Sequence, residues 1–482
     1  MHRFIVSALL CALGSFAISA AAQTPPTASN SPNPKNRPNI VFLMTDDQRY
    51  DQMGCAGHPF LKTPNLDRLA SEGVRFLNAY VVVSLCGPNR ASIQTGLYPH
   101  AHGVKFNNNL DRVDLKIPLL PQLLQQQAGY ETALIGKWHM PDDGRDRDFD
   151  YLFSFLGQGV YFNPTIAEGA HNKIGPDEPR QGYIDEILSD HAIAFIRRPH
   201  EKPFILFLWF KGVHRPWDPP ERYKDLYRKE AASIPEPASF NDTYAGKPEP
   251  VRMTKMRVES TPDTTPWREF VRKYDATMKG VDDNIGRVLK ALDETGLAPN
   301  TMVIHTSDNG FFNGEHHFFD KRLMYEESIR VPLIVRWPGR TPAGKTADEP
   351  VLSVDFLPTI LDAAGAKPPA GIPGRSLTPI LKGEHPSDWR RRWYYEYDEF
   401  PDSNHFVRVH RGVKVEERWK YIVWITEPGG EELYDLKSDP IEMKNLAADP
   451  AQKELLSRMR KEFREAKSEA GDPIEIPMMK SW

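Results

Sequence analysis

Ile40-Val41-Phe42-Leu43-Met44-Thr45-Asp46-Asp47-Gln48 sets an unbroken apolar run against an abrupt acidic end. A strand with one wet face alternates, whereas a run without alternation suits a strand buried on both faces of a parallel sheet. The pattern recurs. Thr132–Ile135 leads to Gly136-Lys137-Trp138-His139, Phe204–Phe210 to Lys211-Gly212-Val213-His214, and Met302–His305 to Thr306-Ser307-Asp308-Asn309-Gly310. Helical patterns lie between these runs. Leu66, Leu69 and Ala70 follow Thr63-Pro64 and stop at Gly73, and Leu119 to Gln127 stops at Gly129. Val271, Tyr274, Met278, Val281, Ile285, Val288 and Leu292 keep a helical spacing up to Gly296. Strands alternating with helices predict an α/β fold, a doubly wound, mostly parallel sheet sandwiched by helices. Such sheets bind ligands beyond the carboxyl ends of their strands. Asp46, Asp47, Lys137, His139, His214, Asp308 and Asn309 all fall there.

The 482 residues exceed one small core and predict a large domain with a smaller companion. A net charge of −4 gives no general attraction to nucleic acid or anionic membranes, so an anionic substrate needs locally placed cations. His2-Arg3, the apolar run from Phe4 to Ile18 and Ala20 to Ala22 read as a signal peptide over residues 1–22. That run is short of the roughly 20 residues a membrane span needs, and Leu9-Leu10 precede Cys11 where a lipoprotein has small residues. An exported chain, periplasmic or secreted, is expected. Residues 23–37 are expected to be a disordered leader. Residues 38–385 then form the catalytic domain, with a proline-rich surface insertion from Pro216 to Pro266. Residues 386–482 form an α+β subdomain, with short antiparallel strands at Trp393–Tyr397, Gly412–Val415 and Tyr421–Ile425. Its helix opens at Asp449-Pro450 and lines up Leu455, Leu456, Met459 and Phe463.

Cys86-Gly87-Pro88-Asn89-Arg90, running on to Thr95-Gly96, carries the chemistry. Pro88 in a first helical turn puts residue 86 at the amino end, where free amides and the dipole favour negative charge. An unmodified thiol there would be acidic and reactive. A disulfide to Cys55 is the alternative, although the small residues around Cys55 also suit a lone buried thiol. Asp46, Asp47, Asp308 and Asn309 make an all-oxygen set, and crowded carboxylates repel unless a cation sits between them. Such donors suit Ca²⁺, with Mg²⁺ second, unless the paired aspartates only cap a helix. Lys137, His139, His214 and Lys321 supply positive charge and proton transfer. Singly, each also fits a structural or solvated role.

The C-x-P-x-R…T-G spacing resembles the activation signature of type I, formylglycine-dependent sulfatases. Asn39 to Gly103, Gly136 to His139 and Ser307 through Pro332 look like a bacterial sulfatase of the alkaline-phosphatase-like superfamily. The resemblance implies that a formylglycine-generating, sulfatase-modifying enzyme oxidises Cys86 to formylglycine (3-oxoalanine). The same resemblance implies that the hydrated aldehyde would be held by calcium, Arg90 and Lys137, with the metal on Asp46, Asp47, the residue at 86, Asp308 and Asn309. It implies Asp308 as the base, His214 with Lys321 as the acid for the leaving oxygen, and His139 as a helper in sulfate expulsion. Asn89 departs from the small residue often found at that place.

Among sulfatases, Asp308 to His316 followed by Asp320-Lys321-Arg322 looks most like the N-acetylglucosamine-6-sulfatases. Asn404 to Gly412 is similar to a segment those enzymes contribute from the C-terminal subdomain. Tyr397, Glu399, His405 and His410, with His214 and Lys321, are therefore candidate sugar contacts, though the first four equally suit an ordinary hairpin. The implied activity is hydrolysis of sulfate esters in a sulfated carbohydrate, 6-O-sulfated N-acetylglucosamine or a related glycan. Another sulfated polysaccharide, an aryl sulfate, or an inactive glycan-binding relative are alternatives. So is a phosphatase or phosphodiesterase, but those use serine or threonine and two histidine-bound zinc ions, against Asn309 here.

Overall fold

In the computed structural model, described for residues 37–107, 113–114, 116–140, 144–260, 266–400, 405–425 and 429–481, the four apolar runs are neighbouring strands. Asn39–Thr45 lies between Thr301–Ser307 and Phe204–Trp209, and Glu131–Lys137 pairs with the latter, all parallel. Tyr151–Phe155 adds a further parallel strand. Antiparallel strands flank the centre, Leu333–Arg336 on one side and Thr165–Ala170 on the other, and Val74–Phe76 pairs antiparallel with Leu333–Arg336 beyond it. The expected signal peptide and the leader up to residue 36 lie outside the described residues, as does Asn404. No helix among the described residues is long and apolar enough to cross a membrane.

The central strands lack alternation because helices cover both faces. Ile40, Phe42 and Met44 enter one apolar core, and Val41 and Leu43 the other. Trp267–Glu294 packs with Pro64–Glu72 and Ile184–Arg197 over one face, and Cys86–Thr95 groups with Leu120–Ala128 and Phe356–Ala363 over the other. The long helix starts at Trp267, ahead of Val271, because Pro266 suits the position before a first turn.

Arg392–Tyr397, His410–Val415, Trp419–Trp424 and Gly430–Asp435 form a separate antiparallel sheet. The last strand was not expected from Gly430-Glu431-Glu432-Leu433-Tyr434-Asp435. It tolerates a buried Glu432 because the Trp424 indole (2.8 Å) and the Tyr325 hydroxyl (2.6 Å) donate to its carboxylate. The Asp449 carboxylate accepts from the Ala451 amide at 2.9 Å ahead of Lys453–Ala470, whose Met459 and Phe463 are buried. The described part of the expected insertion, residues 216–260, is more than a surface segment. Lys247 is buried there, 2.9 Å from Asp242 and 3.2 Å from the His316 ring, under the faces of Tyr325 and Tyr434.

Candidate active site

Thr45 pairs with Ser307, so Asp46 and Asp308 leave adjacent strands side by side. The Asp46 amide donates to the Gly212 carbonyl at 2.9 Å and its carbonyl accepts from Val213 at 2.7 Å, which ties in the segment before His214. Gly136 has φ 115, and a Cβ there would stand 1.9 Å from the Trp209 carbonyl oxygen. Only glycine lets the strands bearing Lys137 and Lys211 approach so closely. Asp47 and His139 occupy the left-handed region, φ 65 and 57. Such backbone costs about 1–3 kcal/mol per residue and persists where surrounding contacts enforce it. One such contact is the Asp47 amide, which donates to Asp308 Oδ1 at 3.1 Å.

The helix Cys86–Thr95 is buried along its whole length and ends at left-handed Gly96. Cys86 Sγ lies 3.6 Å from Asp46 Oδ1. No bridge joins it to Cys55, which is half-buried. One turn on, Arg90 donates to Asp308 Oδ2 from Nε (2.9 Å) and Nη2 (2.8 Å) and to the Lys137 carbonyl from Nη1 (2.5 Å). Its guanidinium lies 5.3 Å from the Trp209 ring centre. Asn89 holds the same acid from the backbone, donating to the Asp308 carbonyl at 2.6 Å.

Cations face each carboxylate. Lys137 Nζ donates to Asp46 Oδ2 and to Gln158 Oε1, the latter at 2.5 Å. Lys321 Nζ and Asn309 Nδ2 both reach Asp47 Oδ1 at 2.5 Å. His214 Nε2 is 3.8 Å from Asp47 Oδ2, and its Nδ1 is 2.9 Å from the Arg215 carbonyl. Donor atoms of Asp46, Asp47, Cys86 and Asp308 lie within 4.8 Å of one another. Asp47 Oδ2 and Asn309 Oδ1 are buried without a hydrogen-bond partner. Unfilled acceptors among crowded acids fit a hard divalent cation.

Burial works to raise the Asp46 carboxyl, but Lys137, with Arg90 and Lys321, outweighs it and holds it well below the usual range. At Asp47 burial, reinforced by Asp46 and Asp308 against Lys321, raises it to about 6. Asp308 is raised by burial and by Asp46. The expected acidic thiol is overturned. Burial, with Asp46 and Asp308 acting against Lys321, pushes the Cys86 thiol up. The helix terminus is outweighed, and a protonated thiol is a poor nucleophile. Burial and then Lys137 hold His139 and His214 well below the ordinary histidine range, so both rings are neutral.

A second cluster adjoins Lys321. Asp320 and Arg322 are left-handed, φ 79 and 91. Asp320 Oδ2 meets Arg215 at 3.1 Å and His405 Nε2 at 3.0 Å, while Oδ1 meets Arg322 at 2.7 Å. Glu399 lies 3.3 Å from Arg322 and accepts from the Asn107 amide at 2.9 Å, and the Asn107 side chain accepts from Gly87 at 2.9 Å. The Tyr397 hydroxyl is 3.5 Å from Glu399. Glu399 and His405 thus join the neighbourhood of the site. His410 lies apart from this cluster. Its side chain is fully buried against Tyr395, Tyr397 and Trp424, and burial pulls its ring down to about 3. Gln158, Arg215 and Arg322 were not singled out beforehand. Arg215 and Arg322 are chain neighbours of His214 and Lys321, the one available signal, and Gln158 had none.

Strand order, the buried helix at the carboxyl edge and the appended small sheet make this an alkaline-phosphatase-like hydrolase fold. The chain belongs to the sulfatase family: residues 38–366 match Sulfatase, and residues 314–469 match N-sulphoglucosamine sulphohydrolase, C-terminal. It is a sulfuric ester hydrolase. It is 36% identical to N-acetylglucosamine-6-O-sulfatase of Bacteroides thetaiotaomicron, covering 92% of this chain and 89% of that one. Human N-acetylglucosamine-6-sulfatase is 30% identical over 92% of this chain and 86% of its own. A solved enzyme in complex with its substrate D-glucosamine-2-N,6-O-disulfate superposes with a TM-score of 0.83 at 34% identity, over 91% of this chain and 99% of that one.

Proposed function

We propose that the chain is an exported sulfatase that removes the 6-O-sulfate from N-acetylglucosamine, or a closely related glucosamine unit, in a sulfated glycan. It works with position 86 converted to formylglycine and with a calcium ion beside it. The observation that carries this is the setting of Cys86, fully buried at the start of a buried helix, 3.6 Å from the Asp46 carboxylate and grouped with Asp47 and Asp308, where burial pushes a thiol up. A thiolate nucleophile is disfavoured there. The modified residue, formed by a sulfatase-modifying enzyme, supplies a hydrated aldehyde as nucleophile.

Asp46, Asp47, Asp308, Asn309 and residue 86 would hold the metal, with Ca²⁺ favoured over Mg²⁺ by an irregular oxygen set. The ion supplies charge to polarise the sulfate oxygens. The protein's own charges already balance, since three carboxylates (Asp46, Asp47, Asp308) face three cations (Arg90, Lys137, Lys321). A further double positive charge leaves the cleft suited to an ester anion.

The side chains then divide the work. Arg90 and Asn89 fix Asp308, which accepts a proton from the nucleophile. Lys137 and Lys321 hold sulfate oxygens. His214 donates from Nδ1 to the Arg215 carbonyl, so Nε2 is the atom left for the cleft. The arriving negative charge favours its protonation, and His214 with Lys321 protonates the departing sugar oxygen, a contribution of about 10²–10⁴-fold. His139, whose Nδ1 is buried without a partner, is placed to assist sulfate departure.

The substrate assignment rests on the relatives named above. Sulfate release from a panel of sulfated sugars, an aryl sulfate and an aryl phosphate tests it. The expected result is preference for a 6-O-sulfated glucosamine. Faster release from other sulfate positions, or from the phosphate, would overturn it.

A further inference from the structure

Leu156 (56% exposed), Val160 (54%) and Phe162 (44%) are the large apolar side chains left open to solvent among the described residues, and all stand in one loop, residues 156–162. The loop leaves the carboxyl end of Tyr151–Phe155, on the ligand-binding edge of the sheet. Its other side chains pin it to the active site. Gln158 Oε1 accepts from the Lys137 ammonium at 2.5 Å, and the Tyr161 hydroxyl donates to the His214 carbonyl at 2.5 Å. Gly157 and Gly159, both at φ 62, shape the turn, and a side chain at 159 would meet the Phe155 ring at 2.5 Å. The Gln158 amide nitrogen has no hydrogen-bond partner among the described residues.

Leu-Gly-Gln-Gly-Val-Tyr-Phe carries no charge, so the loop suits a neutral part of the substrate and not the sulfate itself. Open apolar side chains concentrated beside a catalytic centre mark a contact surface. We propose that loop 156–162 binds the sugar next to the sulfated one. Leu156, Val160 and Phe162 lie against its C–H face, while the Gln158 amide donates to an oxygen of the sulfated unit beside Lys137. This rests on the sulfated-glycan reading above and makes the loop a determinant of chain-length preference.

The test compares a 6-O-sulfated N-acetylglucosamine monosaccharide with a disaccharide carrying one neutral sugar beyond it. The variant combines Leu156→Ser, Val160→Ser and Phe162→Ser. The readout is the ratio of kcat/KM for disaccharide over monosaccharide, which does not depend on the converted fraction. The wild type is expected to favour the disaccharide, and the variant to lose that preference by about tenfold, the usual scale for removing apolar contacts from a pocket. A wild-type ratio near one, or a ratio unchanged in the variant, overturns the proposal. A changed mass in solution with an unaltered ratio also overturns it, since the loop would then join copies of the chain. Calorimetric affinities of Cys86→Ala protein for the two sugars, with and without the three serine substitutions, judge the loop's binding contribution without turnover. A chain that releases no sulfate from any ester therefore sinks the proposed function while the loop is still judged.

Discussion

Replacing Arg90 separates charge from geometry at the centre of the site. Arg90→Lys keeps the positive charge but not the planar fork that spans Asp308 Oδ2 and the Lys137 carbonyl. An ammonium on a shorter reach keeps one of these contacts, and each lost hydrogen bond from a charged donor is worth about 1.5–3 kcal/mol. A loss of about 3 kcal/mol corresponds to a fall of about 10²-fold in kcat/KM. Arg90→Met goes further and leaves the buried acids one positive charge short. An uncompensated buried charge costs about 3–5 kcal/mol, so that variant also melts lower. Residue 90 lies in the modification signature, so the converted fraction at residue 86 is measured for each variant and rates are expressed per converted chain. Arg90→Lys turnover within about threefold of wild type, as judged per converted site, would refute the geometric role of the fork.

Dialysis against a chelator is expected to lower both the melting temperature and sulfate release, with Ca²⁺ restoring more than Mg²⁺; an unchanged melt contradicts the metal site. Burial pulls His102, His305 and His410 down to about 3 and His316 to about 4. At each of these rings the folded protein binds fewer protons than the unfolded chain below the ordinary histidine value. Their share of the stability is full above that value and falls toward about pH 4, at about 1.4 kcal/mol per pH unit for each ring, while buried carboxyls raised by burial, such as Asp185 and Glu327, act the other way. The difference in denaturant midpoint between wild type and His305→Gln, in which the carboxyls cancel, checks the slope, and a difference that does not change with pH contradicts it. Lys247→Met strands Asp242 beside His316 and is expected to cost about 3–5 kcal/mol. Faster proteolysis near Lys247 is the readout, and unaltered cleavage would count against the packing of this segment around Lys247.

The central strands were legible because burial on both faces leaves the apolar runs at 40–44, 132–135, 204–210 and 302–305 unmistakable, and their polar ends mark one edge. Gly430–Asp435 was not legible, since Glu432 is buried only through donors from Trp424 and Tyr325, far away in the chain. The acids, Lys137, His139 and His214 fell together because the sheet register brings strand ends level, and Lys321 joins them from the turn after Phe319–Asp320. The Asp320 cluster depends on left-handed backbone at Asp320 and Arg322 and on His405 from the small-sheet region, and no periodicity announces either. That His410 packs under Tyr395, Tyr397 and Trp424 was not legible, because its place in the segment says nothing about which face of the strand carries it. The thiol's acidity misled for a similar reason: a helix start is readable from Pro88, but full burial beside Asp46 is not.

Mass spectrometry of the tryptic peptide spanning residues 76–90, on protein made in a host that has the modifying enzyme, tests the central claim most directly. Loss of the Cys86 sulfur with gain of an aldehyde, in proportion to sulfatase activity across preparations, is the predicted result. Full activity in a preparation whose residue 86 remains an intact thiol would contradict it.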